Sequence, residues 1–199
     1  MINITNTPNS IPYNLFCKYY DLALKNKQNA IESIVVSSFD NTLNEVDSRY
    51  VNLKYVVRDE WIFFSNYKSK KAKNFEGHDQ VSILIYWDSL NLQIRMNGKI
   101  KKTKTSFSDM HFNGRSKYKN ALAISSMQSS EINSFEDVKR NYLSVLENIN
   151  QDTSRPDYWG GYSFYPTYFE YWKGDENRLN KRDVYEKYNN EWKHKTLQP

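Results

Sequence analysis

The stretch P-D-Y-W-G-G-Y-S-F-Y-P-T-Y-F-E-Y-W-K-G-D-E-N-R-L-N-K-R, residues 156–182, decides how this chain is read. It crowds tyrosines, phenylalanines and tryptophans around two adjacent glycines and ends on Arg178 and Arg182. Each large ring exposes costly apolar area unless it is packed. Either a β-meander core is built here, or a surface is shaped to hold something flat. Residues 161–165, 168–172 and 182–189 predict strands, and Asn189-Asn190 predicts a turn back toward Trp192. Trp159-Gly160-Gly161 is expected to make a tight turn into the first of these strands, with the glycines serving backbone geometry.

Upstream the strand pattern recurs. Residues 34–36, 49–57 and 61–64 are joined by links too short for crossovers, so they predict antiparallel neighbours. Residues 81–87 are the most β-prone run, and residues 92–100 alternate Leu92, Ile94 and Met96 against Gln93, Arg95 and Asn97. Helices are expected at 13–27, at 70–76 behind a Ser69 cap, at 106–113 and at 118–125. A fifth runs from Ser134 to Ile149, with Val138, Tyr142, Val145, Leu146 and Ile149 turned inward. Residues 1–11 are polar and read as a flexible arm, leaving 12–199 as a single domain. The fold class is mainly β with peripheral helices, an antiparallel barrel, closed or split, that hides its strand edges.

Composition narrows the function. The chain has 199 residues, 39% hydrophobic and 26% charged, which is long enough for a sizeable core. No apolar run approaches the ~18 residues of a membrane span. The start, Met1-Ile2-Asn3-Ile4-Thr5-Asn6, lacks the basic and apolar parts of a signal peptide. A lone cysteine, Cys17, excludes an intrachain disulfide framework and suits a cytoplasmic setting. It sits on the apolar side of the first helix, which favours an inert thiol over a nucleophile. The net charge of +5 is scattered among acids and suits solubility or an anionic small ligand better than a nucleic acid. His78, His111 and His194 lack metal-ligand spacing, so no metal is expected. Dinucleotide, P-loop, zinc-protease and nucleophile-elbow motifs are all absent.

What remains is an anion-and-ring site. Arg49 and Lys54 share a strand, Ser65 ends the next one, and Lys70 and Lys71 open the helix that follows. Free N–H groups at a helix N-terminus add to ammonium charge and suit a phosphate. The competing reading is a solvated basic turn, the commoner fate of a charge run.

In order along the chain, Arg49-Tyr50-Val51-Asn52-Leu53-Lys54, Phe64-Ser65-Asn66, Ser69-Lys70-Lys71-Ala72, Gln93, Gln128-Ser129-Ser130, Trp159-Gly160-Gly161, Phe169-Glu170-Tyr171-Trp172 and the N-R-L-N-K-R run at 177–182 resemble the pyridoxamine 5′-phosphate oxidase family. The resemblance covers residues 12–199. It implies an FMN-binding split barrel and a homodimer with FMN at the subunit interface. Arg49, Ser65, Lys70 and Lys71 would hold the FMN phosphate, Lys70 replacing the family's arginine and so losing its bidentate fork. Val51, Leu53, Lys54 and Phe64 would lie along the flavin, with Gln93, Gln128, Ser129, Trp172 and Arg182 as its other contacts. In the family a hydride passes from substrate to flavin and dioxygen reoxidises it, giving hydrogen peroxide. Lys54, Arg115 and Arg178 match substrate contacts, and Arg178 with Asn180 occupies the catalytic motif.

The departures fall on the substrate side. His111 and Lys119 stand where the family has a phosphate-binding tyrosine and serine, and Asn180 replaces the motif's histidine. Losing a charge-assisted contact costs ~1.5–3 kcal/mol, so several changes together suit another anionic ring. Pyridoxamine or pyridoxine 5′-phosphate is the default substrate. The alternatives are a carboxylated ring, as in phenazine-biosynthesis flavin oxidases, a flavin-binding protein without oxidase activity, and a nucleic-acid-binding β-barrel.

Overall fold

A computed structural model describes residues 1–150 and 152–199. Its first five strands are β1 (Asn3–Thr5), β2 (Ser33–Asp40), β3 (Glu45–Val57), β4 (Glu60–Asn66) and β5 (Gln80–Trp87). The others are β6 (Leu92–Lys102), β7 (Trp159–Lys173), β8 (Lys181–Tyr188) and β9 (Glu191–Leu197). The helices are α1 (Ile11–Lys25), α2 (Lys70–Gly77), α3 (Thr105–Asn113), α4 (Lys117–Ser125) and α5 (Phe135–Asn148).

Strands β3, β2, β5, β6 and β7 lie side by side, and β4 pairs with both β7 and β3. The result is a closed antiparallel barrel of six strands. Closure follows from alternation. Val81, Ile83 and Ile85 on β5 and Leu92, Ile94 and Met96 on β6 all point into one core with Val36, Trp61, Phe63 and Phe164. Burying each such side chain contributes ~1.5–3 kcal/mol. Helix α1 plugs the barrel. Its Phe16 ring centroid lies 4.4 Å from that of Trp61, and the Tyr171 hydroxyl donates to the Pro12 carbonyl at 2.5 Å.

Four expectations change. Residues 1–11 are no loose arm. β1 pairs in parallel with Tyr55–Val57 of β3, Ile2 is buried, and the Ile2 amide donates to the Tyr20 hydroxyl at 2.8 Å. The two strands predicted at 161–165 and 168–172 are one, β7, which absorbs Pro166 at a register shift opposite Asn97 and Gly98. Gly160 and Gly161 lie within this strand with no positive φ. Their role is space: a Cβ on Gly161 would press on the Thr103 methyl and come 3.1 Å from a Phe64 ring carbon. Helix α5 buries none of its residues, so its five expected inward positions make only a half-covered seam. The turn at Asn189 and Asn190 is as expected, both in the left-handed region (φ 48° and 67°) as a two-residue hairpin requires.

Candidate active site

Of the basic residues predicted for the anion site, the structure brings Lys71 and Arg49 together at the first turn of α2, while Lys70 and Lys54 pair elsewhere with Asp47 and Glu32. The Lys71 ammonium is buried and donates to Ser65 Oγ at 3.1 Å, Gln128 Oε1 at 3.2 Å and Ser69 Oγ at 3.4 Å. No carboxylate among the described residues forms an ion pair with it. Desolvation, with the Arg49 guanidinium nearby, pushes the Lys71 pKa down to about 8. Gln128 Oε1 also accepts from Ser65 Oγ at 3.0 Å and from the Asn66 amide at 3.3 Å. Three donors thus meet at one oxygen, the arrangement an anionic oxygen takes. Arg49 is fixed by a 2.6 Å hydrogen bond to Ser38 Oγ and lies 3.5 Å from Asp47. Lys70 points outward and pairs with Asp47 at 2.7 Å, which raises its pKa. Ser69 does precede α2, but its hydroxyl donates back to the Asn66 carbonyl at 2.7 Å instead of capping the helix.

Beside this cradle runs a cleft of about 180 Å³ lined by Phe64, Ser65, Arg115, Lys119, Gln128 and Trp159, among others. Two of its lining rings, Phe64 and Trp159, lie parallel, and His111, outside the lining, extends the stack. His111 stacks on Phe64 with centroids 3.7 Å apart, and Phe64 on Trp159 at 5.4 Å. Burial, reinforced by Arg115, Lys54 and Lys119, pushes the His111 pKa down to about 4. It is therefore neutral at physiological pH, with Nδ1 at 2.9 Å from the Tyr55 hydroxyl. Arg115 lies over the Trp159 ring at 4.4 Å and donates to the Lys119 carbonyl at 3.0 Å. One of its terminal nitrogens is buried with no protein partner. Burial lowers its pKa to about 10, so it stays charged. Lys54 is partly neutralised by Glu32 at 3.7 Å.

A second group lies on the outer face of β6, β7 and β8. Gln93, Trp172 and Arg182 are cross-strand partners in one row. Arg182 donates from Nε to Glu170 Oε1 at 2.8 Å and from a terminal nitrogen to the Gln198 carbonyl at 3.0 Å. No hydrogen bond, ion pair or ring contact among the described residues joins this row to the Lys71 cradle. Arg178 is exposed at φ 62° in the turn before β8, and Asn180 Oδ1 accepts from the Asp175 amide at 3.1 Å, closing that turn. Neither touches the cleft within one chain. Ser129 is likewise exposed, at φ 71°. Val51 is half-buried on β3, and Leu53 is wholly inside the core, with its amide donating to the Glu32 carbonyl at 2.8 Å.

Several contributors escape sequence reading. Asp47 and Ser38 hold the arginine and lysine of the cradle, and only the β2–β3 register, which pairs Asp47 with Ser38 itself, brings them there. Arg155 is buried on Asp109 at 2.7 Å and donates to the Trp159 carbonyl at 2.5 Å, tying α3 to the start of β7. Glu170 was visible, since Tyr168, Glu170 and Trp172 alternate onto one face. Among the described residues no cluster of His, Cys, Asp or Glu could hold a metal, and no helix is long and apolar enough to cross a membrane.

Comparison with known proteins covers most of the chain. The family model described as pyridoxamine 5′-phosphate oxidase matches residues 29–143, and that of the pyridoxine 5′-phosphate oxidase C-terminal dimerisation region matches residues 159–199. A pyridoxine/pyridoxamine 5′-phosphate oxidase of Legionella pneumophila (strain Paris) is 33% identical over 189 residues, spanning 94% of this chain and 87% of the relative. Its counterpart in Vesicomyosocius okutanii is 32% identical over 199 residues, or 100% and 92% of the two chains. The crystal structure of PhzG from Burkholderia lata 383, in complex with tetrahydrophenazine-1-carboxylic acid, matches with a TM-score of 0.90. It is 25% identical and covers 96% of this chain and 94% of that one.

Proposed function

The chain belongs to the pyridoxamine 5′-phosphate oxidase family of flavin oxidoreductases, and on that premise we propose that it is an FMN-dependent oxidase of an anionic heteroaromatic substrate, acting as a homodimer. The observation that carries this reading is the buried Lys71 ammonium, without a carboxylate partner among the described residues, which converges with the Ser65 hydroxyl and the Asn66 amide on one oxygen position. A buried ammonium without a counter-ion is costly, and a phosphate monoester relieves that cost. The residues present therefore fit the phosphate of FMN. Lys71, Ser65 and Arg49 would hold it, with Lys70 released from Asp47 to join them.

When bound, FMN would supply the hydride acceptor, with dioxygen as the final electron acceptor leaving as hydrogen peroxide. Everything else falls to the protein. Gln93, Trp172 and Arg182 would reach the flavin from the partner subunit, which agrees with their separation from the cradle in one chain. Phe64 and Trp159 in the cleft lining, with His111 stacked on Phe64, would give a flat substrate a flat surface. Arg115, with its unpartnered nitrogen, and Lys119 would meet the substrate's anionic group. Arg178 would close over the ring of a substrate bound to the partner. Pyridoxine or pyridoxamine 5′-phosphate is the first substrate to test.

A second reading rests on charge at the cleft. Neutral His111 and the Lys54–Glu32 pair leave Arg115 and Lys119 as the free cations there, fewer than a dianionic phosphate ester favours. A carboxylated ring, the class bound by the PhzG structure, suits that charge better. Purified protein should show flavin absorption bands and release peroxide on turnover. Peroxide with pyridoxine 5′-phosphate supports the first reading, and peroxide only with a reduced phenazine carboxylate supports the second. A colourless protein that takes up no FMN rejects both.

A further inference from the structure

We infer that Glu170, assisted by Arg95, is a positioning residue that sets the Arg182 guanidinium for the flavin, an inference that rests on the assignment of Arg182 to the flavin side. Glu170 is only 2% exposed, yet it carries a charge. Its two oxygens are divided between two arginines. Oε1 faces Arg182, with Nε at 2.8 Å and a terminal nitrogen at 2.7 Å. Oε2 accepts from the Tyr168 hydroxyl at 2.8 Å and is ion-paired with Arg95. Arg95 in turn donates to the Tyr168 hydroxyl at 3.1 Å and lies 5.5 Å from the Tyr168 ring centroid.

The register explains the arrangement. Arg95 is the cross-strand partner of Glu170, and two residues on, Gln93 partners Trp172, which partners Arg182. All five side chains therefore belong to one face, and Arg182 reaches diagonally to Glu170 from the neighbouring row. A guanidinium on an open sheet face would sample many rotamers, each lost on ligand binding. Here one edge is held by Glu170 and another by the Gln198 carbonyl at 3.0 Å, leaving the remaining N–H groups in fixed directions. A simple staple between strands would need one arginine for one carboxylate. Two arginines on one carboxylate leave a net positive charge at the row, directed at whatever lies against Gln93 and Trp172. Arg95 thus supports Glu170, so that the carboxylate does not cancel Arg182 outright.

The test is a double-mutant cycle on the full-length dimer, reading FMN affinity by fluorescence quenching alongside thermal midpoint. Arg182→Ala and Glu170→Gln should each weaken FMN about ten-fold, and the combined variant should bind no more weakly than Arg182→Ala alone. Tyr168→Phe, which removes one hydrogen bond to Glu170, should give a smaller loss of the same kind and serves if Glu170→Gln does not fold. Should Arg182→Ala weaken FMN while neither Glu170→Gln nor Tyr168→Phe does, or should the effects add, the positioning role is overturned and the assignment of Arg182 stands. If Arg182→Ala leaves FMN affinity unchanged, that assignment falls and takes the inference with it.

Discussion

The imidazole of His111 lies flat on the phenyl ring of Phe64, with centroids 3.7 Å and planes 14° apart. A protonated imidazole would put an unsolvated charge inside this stack, next to Arg115, which is why its pKa falls to about 4. The unfolded pKa is ~6.5, so the folded state loses stability as pH drops from about 6.5 towards 4. His111→Phe keeps the stack and removes the proton site. Its thermal midpoint should fall less over that range than the wild type's. An unchanged acid profile would show that His111 is not held neutral.

Lys71 gives the opposite sign. Its pKa of about 8 in the free protein rises when an anion arrives, so binding takes up a proton above pH 8. FMN affinity should be flat below that pH and decline by up to ~ten-fold per unit above it. Fluorescence titrations at pH 7, 8 and 9 measure this. Lys71→Arg, which cannot lose its proton in this range, should flatten the profile. An identical decline in that variant sinks the assignment. Lys71→Ala should release FMN outright.

Gly98 sits at the β6 bulge, where a Cβ would come 2.8 Å from the Tyr165 carbonyl carbon and 2.9 Å from a Phe164 ring carbon. Backbone cannot step aside as a flexible side chain does. Gly98→Ala should cost about 1–3 kcal/mol, read from urea denaturation. A cost below 0.5 kcal/mol, the scale of a neutral surface change, means the bulge can relax.

Arg178 is exposed, and among the described residues its side chain forms no hydrogen bond or ion pair. Arg178→Ala should therefore leave fold and FMN content intact and raise the substrate KM about ten-fold, the worth of one charged contact at ~1.4 kcal/mol. Loss of FMN with unchanged KM would move this residue to the flavin side.

The barrel was legible because alternation is strong where one face is buried. Leu92, Ile94 and Met96 against Gln93, Arg95 and Asn97 give β6 almost unaided. The glycines of β7 misled because composition cannot separate a residue that is small for its φ from one that is small for its neighbours. Polarity at 1–11 misled too, since β1 is held by backbone pairing to β3 and by Ile2, features a polarity count does not weigh. Adjacent Lys70 and Lys71 point about 100° apart on α2. One pairs with Asp47 and the other is buried, and that division depends on β2 and β3, far from the helix in sequence. The seam of α5 had the right period and a true Ser134 cap, whose hydroxyl accepts from the Asp137 amide at 3.1 Å, yet little core is there to receive it.

The barrel's last joint, between β4 and β7, pairs Trp61 with Phe164. β4 is therefore made early, and its second edge waits while α2, two strands and three helices are synthesised. That edge presents Trp61, Ile62 and Phe63, the kind of segment that seeds intermolecular pairing. Non-local closure is also slow. Yield should thus depend on the pace of translation and on holdase chaperones more than on the stability of the finished barrel, and a ribosome stalled before Lys173 would carry an open, adhesive sheet.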